Sequence, residues 1–482
     1  MGQKTNILVY FLITIFSFVL YCHFLVTGDI VSEYMMTGLI LWVFVSNLFS
    51  LLVYRIPLFH PYVFFLLTFF LYNVGGFFIA LCFGESFFNY SFGLSSGGGF
   101  SPYEKGETMF SVLFFLIFIH WGVVLFCKVK KQNEFQFLEE NYEQDIYSTT
   151  NRKIGLLLFY ISLLPAYYYY YVYIREAFMM GGYSNYALAV DSRVGTENMN
   201  FLVRISDDIN AFGFVLFLSS IPQKKQFIIP CVLYFIPFLL VSTFTGSRVY
   251  VITQGMMLLS YFVLVYKVSY KKISYVLLIF VLYAVFVGLF RNVEDYDLSK
   301  TRDKIGEVET DDSVLRNFFV AQGLSAQTIS FTVSLHEEGK LEYSPLFMIM
   351  PLISKGGYDE TKTPNEYYYL PDRISYYYNE NFSLGGGLGG SIVADFYSVG
   401  GILGVIIFSV FLGFIFMWSI GVFISQHNSM WKAILILLLP SIYYLPRAYF
   451  VYPIVNSAFS LLLLFVYYFF IFKFIPRKQI DI

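Results

Sequence analysis

The chain has 482 residues, of which 57% are hydrophobic, 21% aromatic and only 13% charged, with a formal net charge of −2. Soluble domains carry about 25% charged residues, so this composition excludes an ordinary soluble enzyme, and the lack of any basic tail excludes a nucleic-acid binder. The apolar stretches run roughly 18 to 22 residues, the length of a membrane-crossing helix and too long for a barrel strand.

In chain order, apolar spans are expected at 7–26, 35–54, 62–83, 108–127, 154–174, 204–221, 226–243, 249–266, 273–290, 397–421, 433–446 and 454–472. This is an all-α integral membrane protein of about twelve transmembrane helices. The first span follows Met1–Asn6, carries one lysine before it and has no small-residue cleavage site, so it reads as an uncleaved anchor. Arg55, Lys128, Lys130, Lys131, Arg152, Lys153, Lys224, Lys225, Lys267, Lys271, Lys272, Lys432, Lys473, Arg477 and Lys478 all fall on one side if the N-terminus is inside. The positive-inside rule then puts both termini in the cytoplasm. Cys22, Cys82, Cys127 and Cys231 lie in or at the ends of spans without paired spacing and read as small apolar residues.

Three segments fall on the outer side. Residues 84–107 are Gly/Ser-rich around Ser95–Gly99, and residues 175–203 are polar with glycine pairs. Residues 291–396 form the largest soluble part, dividing the chain into 1–290, 291–396 and 397–482. That part opens with an acidic run, Glu294–Asp312. Its Leu315–Leu335 stretch has helical apolar spacing and is expected to be an amphipathic helix on the membrane surface. Two aromatic clusters follow, Tyr367–Tyr369 and Tyr376–Tyr378 with Tyr377 at its centre, and then the glycine run Gly385–Gly390.

The cations on the two sides differ in kind. The inner side is mostly lysine, whereas the outer side carries Arg175, Arg193, Arg204, Arg248, Arg291, Arg302, Arg316, Arg373 and Arg447. Topology does not need arginine outside, but the rigid guanidinium fork suits bidentate binding of phosphate or diphosphate. The outer face therefore reads as a site for an anionic, phosphorylated ligand. Arg248 sits in TFTGSRV (243–249), a turn too short to leave the membrane surface, at the start of a helix. A helix N-terminus plus arginine makes an anion site; the blander reading is a snorkelling anchor. Arg447, in LPRAYFVYP (445–453), occupies a second short outer turn, where a lipid-headgroup contact is the alternative. Arg291 ends a span, with Glu294 or Asp295 as alternative ion-pair partners. Arg175, Arg193, Arg204, Arg316 and Arg373 read either as substrate clamps or as solvated loop charges.

Asp395, in SIVADFYSVGG (391–401), is the acid–base candidate, a carboxylate at the outer membrane edge able to activate a hydroxyl. The alternative is a charge that stabilises a helix N-terminus. The run Tyr167–Tyr171 reads as an interfacial belt or as rings that stack on sugar faces. No metal and no cofactor is expected. The five histidines are scattered, and Gly385, Gly387 and Gly390 lack the strand–turn–helix context of a dinucleotide site. Asp295-Tyr296-Asp297 lies in an acidic loop on the face that lacks nucleotide sugars.

TFTGSR (243–248), FFVAQGLS (318–325), GGSIVADFYSVGGILGVIIFSVFLG (389–413) and LPRAYF (445–450) together resemble the Wzy-type O-antigen polymerases. The resemblance implies a bacterial inner-membrane glycosyltransferase that joins lipid-linked repeat units on the periplasmic face. The donor it implies is a growing chain on undecaprenyl diphosphate, and the acceptor a hydroxyl of the incoming repeat. It also implies a chain-length regulator and a flippase as partners. The family's functional loop arginines would correspond to Arg248, Arg447 and Arg291, and Asp395 stands where many members have glutamate. Arg193 and Arg316 would help clamp the substrates, and Tyr367 and Tyr377 would line the sugar groove. Three rivals remain open, one of them a non-catalytic assembly component. A flippase for lipid-linked oligosaccharide fits twelve spans, but the longest loop is not central, the halves do not match, and ionisable residues within the spans are scarce. An O-antigen ligase would use the same donor.

Overall fold

The computed structural model describes residues 3–30, 32–54, 56, 60–89, 99–129, 146–179, 203, 205–245, 249–266, 271–272, 274–276, 278–279, 282–283, 313–353, 356–357, 359–379, 382, 388–425 and 429–474. Its longer helices are α1 (Gln3–Thr27), α2 (Glu33–Val53), α3 (Pro61–Phe83), α4 (Pro102–Val129), α5 (Ile146–Met179), α6 (Ser206–Ser219) and α7 (Lys224–Thr245). They continue with α8 (Val249–Tyr266), α9 (Ser313–Glu337), α10 (Leu370–Tyr378), α11 (Ile392–Ser425), α12 (Ser429–Tyr444) and α13 (Ala458–Phe474). Among the described residues nine helices are long and apolar enough to cross a membrane: α1 to α5, α7, α8, α11 and α12. The chain is an all-α membrane protein, as its composition requires: in hydrocarbon each backbone N–H and C=O must be satisfied within its own segment. α6 and the apolar α13 are shorter and coincide with expected spans. The expected span at 273–290 falls largely outside the described residues.

Glycine sets how closely these helices approach. A Cβ on Gly122 of α4 would lie 2.2 Å from the Val410 carbonyl oxygen, and one on Gly413 of α11 2.0 Å from that of Ile119. α5 and α6 meet in the same way, since a Cβ on Gly155 would lie 2.6 Å from the Phe217 nitrogen and one on Gly213 2.7 Å from that of Phe159. Lipid tails are as apolar as leucine, so helices in a membrane associate through close packing, and small residues permit backbone-to-backbone contact.

Two departures from regular helix, and one from the expected placement, follow. α3 contains a π turn at Phe70–Val74. It ends in a left-handed cap at Gly84 (φ 68°), which lets the Glu85 N–H return to the Ala80 carbonyl at 2.9 Å. α11 is broken at Gly400 and Gly401, and Gly401, with φ 59° and ψ −144°, holds a conformation open essentially to glycine alone. The break turns residues 392–399 sharply against residues 402–425: a Cβ on Gly404 would be 2.2 Å from the Phe396 carbonyl oxygen, and the Phe396 and Phe408 rings are 5.5 Å apart. A straight helix would separate residues twelve apart by about 18 Å. The helix thus begins with a short arm that carries Asp395, just before the tenth expected span at 397–421, and the break at Gly400 and Gly401 falls inside that span.

The third departure is α9. Its spacing suggested a surface helix, but residues 325–335 are all buried, against α3, α4 and α11. The reason is that its polar face is made mostly of small hydroxyls. Ser330 shares a hydrogen bond with Thr108 (2.9 Å), Thr332 donates to the Thr328 carbonyl (2.7 Å), and Thr328 donates to the Gly389 carbonyl (2.9 Å). Gly323 lets the helix touch α3, where its Cβ would sit 2.7 Å from the Gly76 nitrogen. At the far end His336 stacks on Tyr343 (4.1 Å) and meets Tyr397 edge-on. Burial, with a smaller contribution from the Arg373 charge, pushes its pKa down to about 4.

Two measurements check this packing. Gly122→Ala is expected to lower the thermal midpoint of the purified protein by an overpacking cost of about 1–3 kcal/mol. Gly38→Ala, where a Cβ would meet nothing within 4 Å, should leave the midpoint unchanged or raise it. For His336, an unfolded histidine takes up its proton near pH 6.5 and the folded one near 4. Stability should therefore fall as pH drops through that window. His336→Gln should flatten the fall, and an unchanged midpoint-versus-pH slope would contradict the burial of a neutral ring.

Candidate functional site

The site is built around the turn that follows α12. α12 runs into a 3-10 turn, Leu445–Arg447, with Pro446 near its start, and the chain turns back through the short helix Tyr452–Asn456. Two side chains hold this turn from beneath. Asp395, 1% exposed, accepts a hydrogen bond from the Phe450 N–H at 2.8 Å. Asn73, fully buried, donates to the Pro446 carbonyl at 2.9 Å, while its own carbonyl accepts from Ser391 at 3.0 Å. Asn73 lies in the π turn of α3, and Asp395 and Ser391 lie around the short arm of α11. The irregular backbone thus aims both side chains at the turn.

Arg447, half-buried, emerges from that support. It donates to Gln322 of α9 at 3.3 Å, and its guanidinium carbon lies 5.6 Å from the centre of the Tyr72 ring. Gly389 passes close enough that a Cβ there would lie 3.5 Å from the arginine Nε. A Cβ on neighbouring Gly390 would meet the Ala448 backbone and Pro371, each at 3.3 Å. Gln322 is neutral, so it orients the guanidinium without cancelling its charge, and Tyr72 offers a cation–π face. Three of the four segments singled out in the sequence, 318–325, 389–413 and 445–450, therefore meet at one arginine. In the fourth, Arg248 lies outside the described residues.

A cavity of about 300 Å³ opens beside this turn, enclosed by α5 to α8, α12 and the start of α13. Tyr444 and Tyr452 flank the Arg447 turn and line the cavity. Tyr444 also meets Tyr72 edge-on at 6.2 Å, so one aromatic path joins the arginine to the cavity. Val249 and Tyr250, the two residues after Arg248, form part of another wall.

The other expected site residues scatter. Arg316 forms an ion pair with Glu85 and lies over Phe83, two turns of α9 from Gln322. Arg373, 8% exposed, donates to the Lys340 carbonyl (2.5 Å) and to Asn365 (2.7 Å) and covers Phe347. Burial lowers its pKa. Tyr367 is buried, and its hydroxyl donates to the Asp359 carbonyl and accepts from the Asp359 N–H. Tyr377 lies under Lys340. These three residues knit the 340–379 segment together. That segment reaches the site through Tyr369, which packs edge-on against Tyr449 at 4.8 Å. Arg175 is exposed near the end of α5. Arg193, Arg204, Arg291, Arg302 and Asp295–Asp297 lie outside the described residues.

Sequence reasoning missed Tyr72, Asn73 and Gln322. An asparagine followed by Gly75-Gly76 in an otherwise apolar span was the available signal, since polar groups at that depth need a partner. It also passed over Asp207 and Asp208, which stand together at the start of α6 and line the cavity.

No curated protein and no solved structure matches the chain. A sequence model of the family described as O-antigen polysaccharide polymerase Wzy matches residues 7–479, nearly the whole length. The chain, with its broken tenth span, its buried α9 and its arginine turn, belongs to the Wzy family of O-antigen polysaccharide polymerases.

Proposed function

We propose that this polymerase transfers a growing glycan from undecaprenyl diphosphate to a hydroxyl of an incoming lipid-linked repeat unit. The reaction runs at the periplasmic face of the bacterial inner membrane, with both termini in the cytoplasm. The observation that carries the reading is the placement of Arg447, held between Gln322, Tyr72 and Gly389 on a turn braced by Asp395 and Asn73. In the transfer the bond between the anomeric carbon and the diphosphate oxygen breaks, and its electron pair leaves on undecaprenyl diphosphate. The acceptor oxygen bonds to the anomeric carbon, and its proton passes to a carboxylate or water. A positioned guanidinium stabilises the charge that grows on the leaving group, a contribution worth about 10²–10³ in rate for one preorganised donor. Arg248 and Arg291 join Arg447 in this role, without need of a metal. Arg175, Arg193 and Arg204 extend the cationic surface that collects lipid-linked substrates, and Arg316 takes part through the α9 helix that carries Gln322. A chain-length regulator and a flippase would supply and limit the substrate.

Asp395 is the acid–base expectation, and we infer a different role for it. At 1% exposed, with one carboxylate oxygen on the Phe450 N–H, it fits a positioning residue that holds the arginine turn. Arg373, Tyr367 and Tyr377 likewise support this reading as the scaffold behind Tyr369.

The test is the gel profile of surface polysaccharide in a strain lacking the gene, complemented with variants. Arg447→Ala at normal protein level should leave a single-repeat product, and Arg447→Lys should restore only a small part of the polymer. Full-length chains unattached to the lipid core would instead support a ligase, and repeat units trapped inside would support a flippase. For Asp395, replacement by Asn keeps an acceptor for the Phe450 N–H, and chain elongation should be largely retained. Asp395→Leu should abolish it. Equal loss in both would show that the carboxylate acts on a proton.

A further inference from the structure

We propose that the cavity beside the Arg447 turn is a carbohydrate subsite, which receives one sugar ring of the repeat unit and turns away the diphosphate. The inference rests on the polymerase reading. Its first support is charge: Asp207 and Asp208 both line the cavity, and among the described residues no lysine or arginine does. Such a wall repels a diphosphate but accepts hydrogen bonds from hydroxyls. The carboxylates are held but not used up. Asp207 accepts from Tyr170 at 2.6 Å and Asp208 from Ser460 at 3.3 Å, one oxygen each, while a carboxylate offers about four lone-pair directions.

The second support is aromatic. Tyr170, Tyr250 and Tyr444 present rings from three different helices or helix ends, together with polar hydroxyls. Flat apolar faces with a polar tip match a sugar ring, which has C–H faces and a rim of hydroxyls. The volume of about 300 Å³ is at the low end for small-molecule pockets, the scale of one ring and well short of a polyprenyl tail. The third support is position. Tyr444 lines the cavity and contacts Tyr72, on which Arg447 rests, so a ring bound here lies next to the proposed diphosphate site.

The test is protection of Asp207 and Asp208 from a water-soluble carbodiimide plus an amine, read by peptide mass spectrometry on the full-length protein in nanodiscs. The probe is the repeat-unit oligosaccharide freed of lipid and phosphate by mild acid. It should protect both carboxylates, inorganic pyrophosphate should not, and Tyr250→Ala should raise the half-protecting concentration about tenfold, near 1.4 kcal/mol. Borohydride opens the reducing-end ring. Continued protection by the opened oligosaccharide would assign the cavity to the acceptor's non-reducing end, and its loss would assign it to the donor's first sugar. Protection by pyrophosphate, or none by oligosaccharide in a preparation that elongates lipid-linked repeats, would overturn the subsite. A preparation that binds the oligosaccharide but cannot elongate lipid-linked repeats would overturn the polymerase mechanism instead, so the two failures are separable.

Discussion

Everything at the site depends on one tight turn, residues 445–450, being held from below by Asp395 and Asn73. An arginine at the mouth of a membrane bundle has a long, flexible stem and no reason to point one way. The turn that carries it is fixed here by two hydrogen bonds with side chains more than fifty residues away in sequence, Phe450 N–H donating to a carboxyl oxygen and the Pro446 carbonyl accepting from an amide. Hydrogen bonds in a poorly solvated place are electrostatically stronger than those at a surface. Leaving either buried group without its partner would carry the full desolvation penalty. The clamp therefore positions Arg447 and also makes any other arrangement of the turn costly.

The clamp exists because two helices are irregular where they pass beneath the turn. A regular helix satisfies all its own backbone groups and shows its neighbours only side chains at fixed pitch. The π turn of α3 shifts that pitch by one residue and brings Tyr72 and Asn73 to the same side as the turn. The break in α11 releases its first eight residues to lie at an angle, which carries Asp395 beneath residue 450, while Ser391, just before them, bonds to Asn73. Non-helical backbone at membrane depth is tolerated where protein surrounds it. Ser344 donates its N–H to the Ser398 carbonyl at 2.9 Å, filling one of the acceptors that the break exposes.

The membrane class and most helix positions were legible in the sequence because hydropathy acts over twenty residues at a time and survives local detail. Arg447 was legible because a charge in a very short loop has few places to go. Asp395 drew attention as a carboxylate next to an apolar span, but its partner is a backbone N–H in a distant turn, and no spacing rule reveals that. Gln322 and Asn73 were illegible for a related reason: each looks like an ordinary polar residue until α9 and α3 are brought together by the Gly323–Gly76 contact. The surface reading of α9 went astray because serine and threonine count as polar in a periodicity, yet their hydroxyls can be satisfied by neighbouring hydroxyls and carbonyls inside a packed bundle. Arg316 and Arg373 could be read only as clamps or solvated loop charges, because their neighbours Glu85, Asn365 and Phe347 are remote in the chain.

The burial of α9 also bears on how the chain is made. Residues 325–335 carry Ser325, Gln327, Thr328, Ser330, Thr332 and Ser334, too polar for insertion into lipid as an independent segment. This stretch would therefore be made as part of a segment between spans, not as a span of its own. It can reach its buried place only after α3 and α4 stand in the membrane, and Gly389, whose carbonyl caps Thr328, must also have been synthesised. Assembly of the site is thus a late event in biogenesis, and a newly inserted chain has its spans in place before it has an organised Arg447.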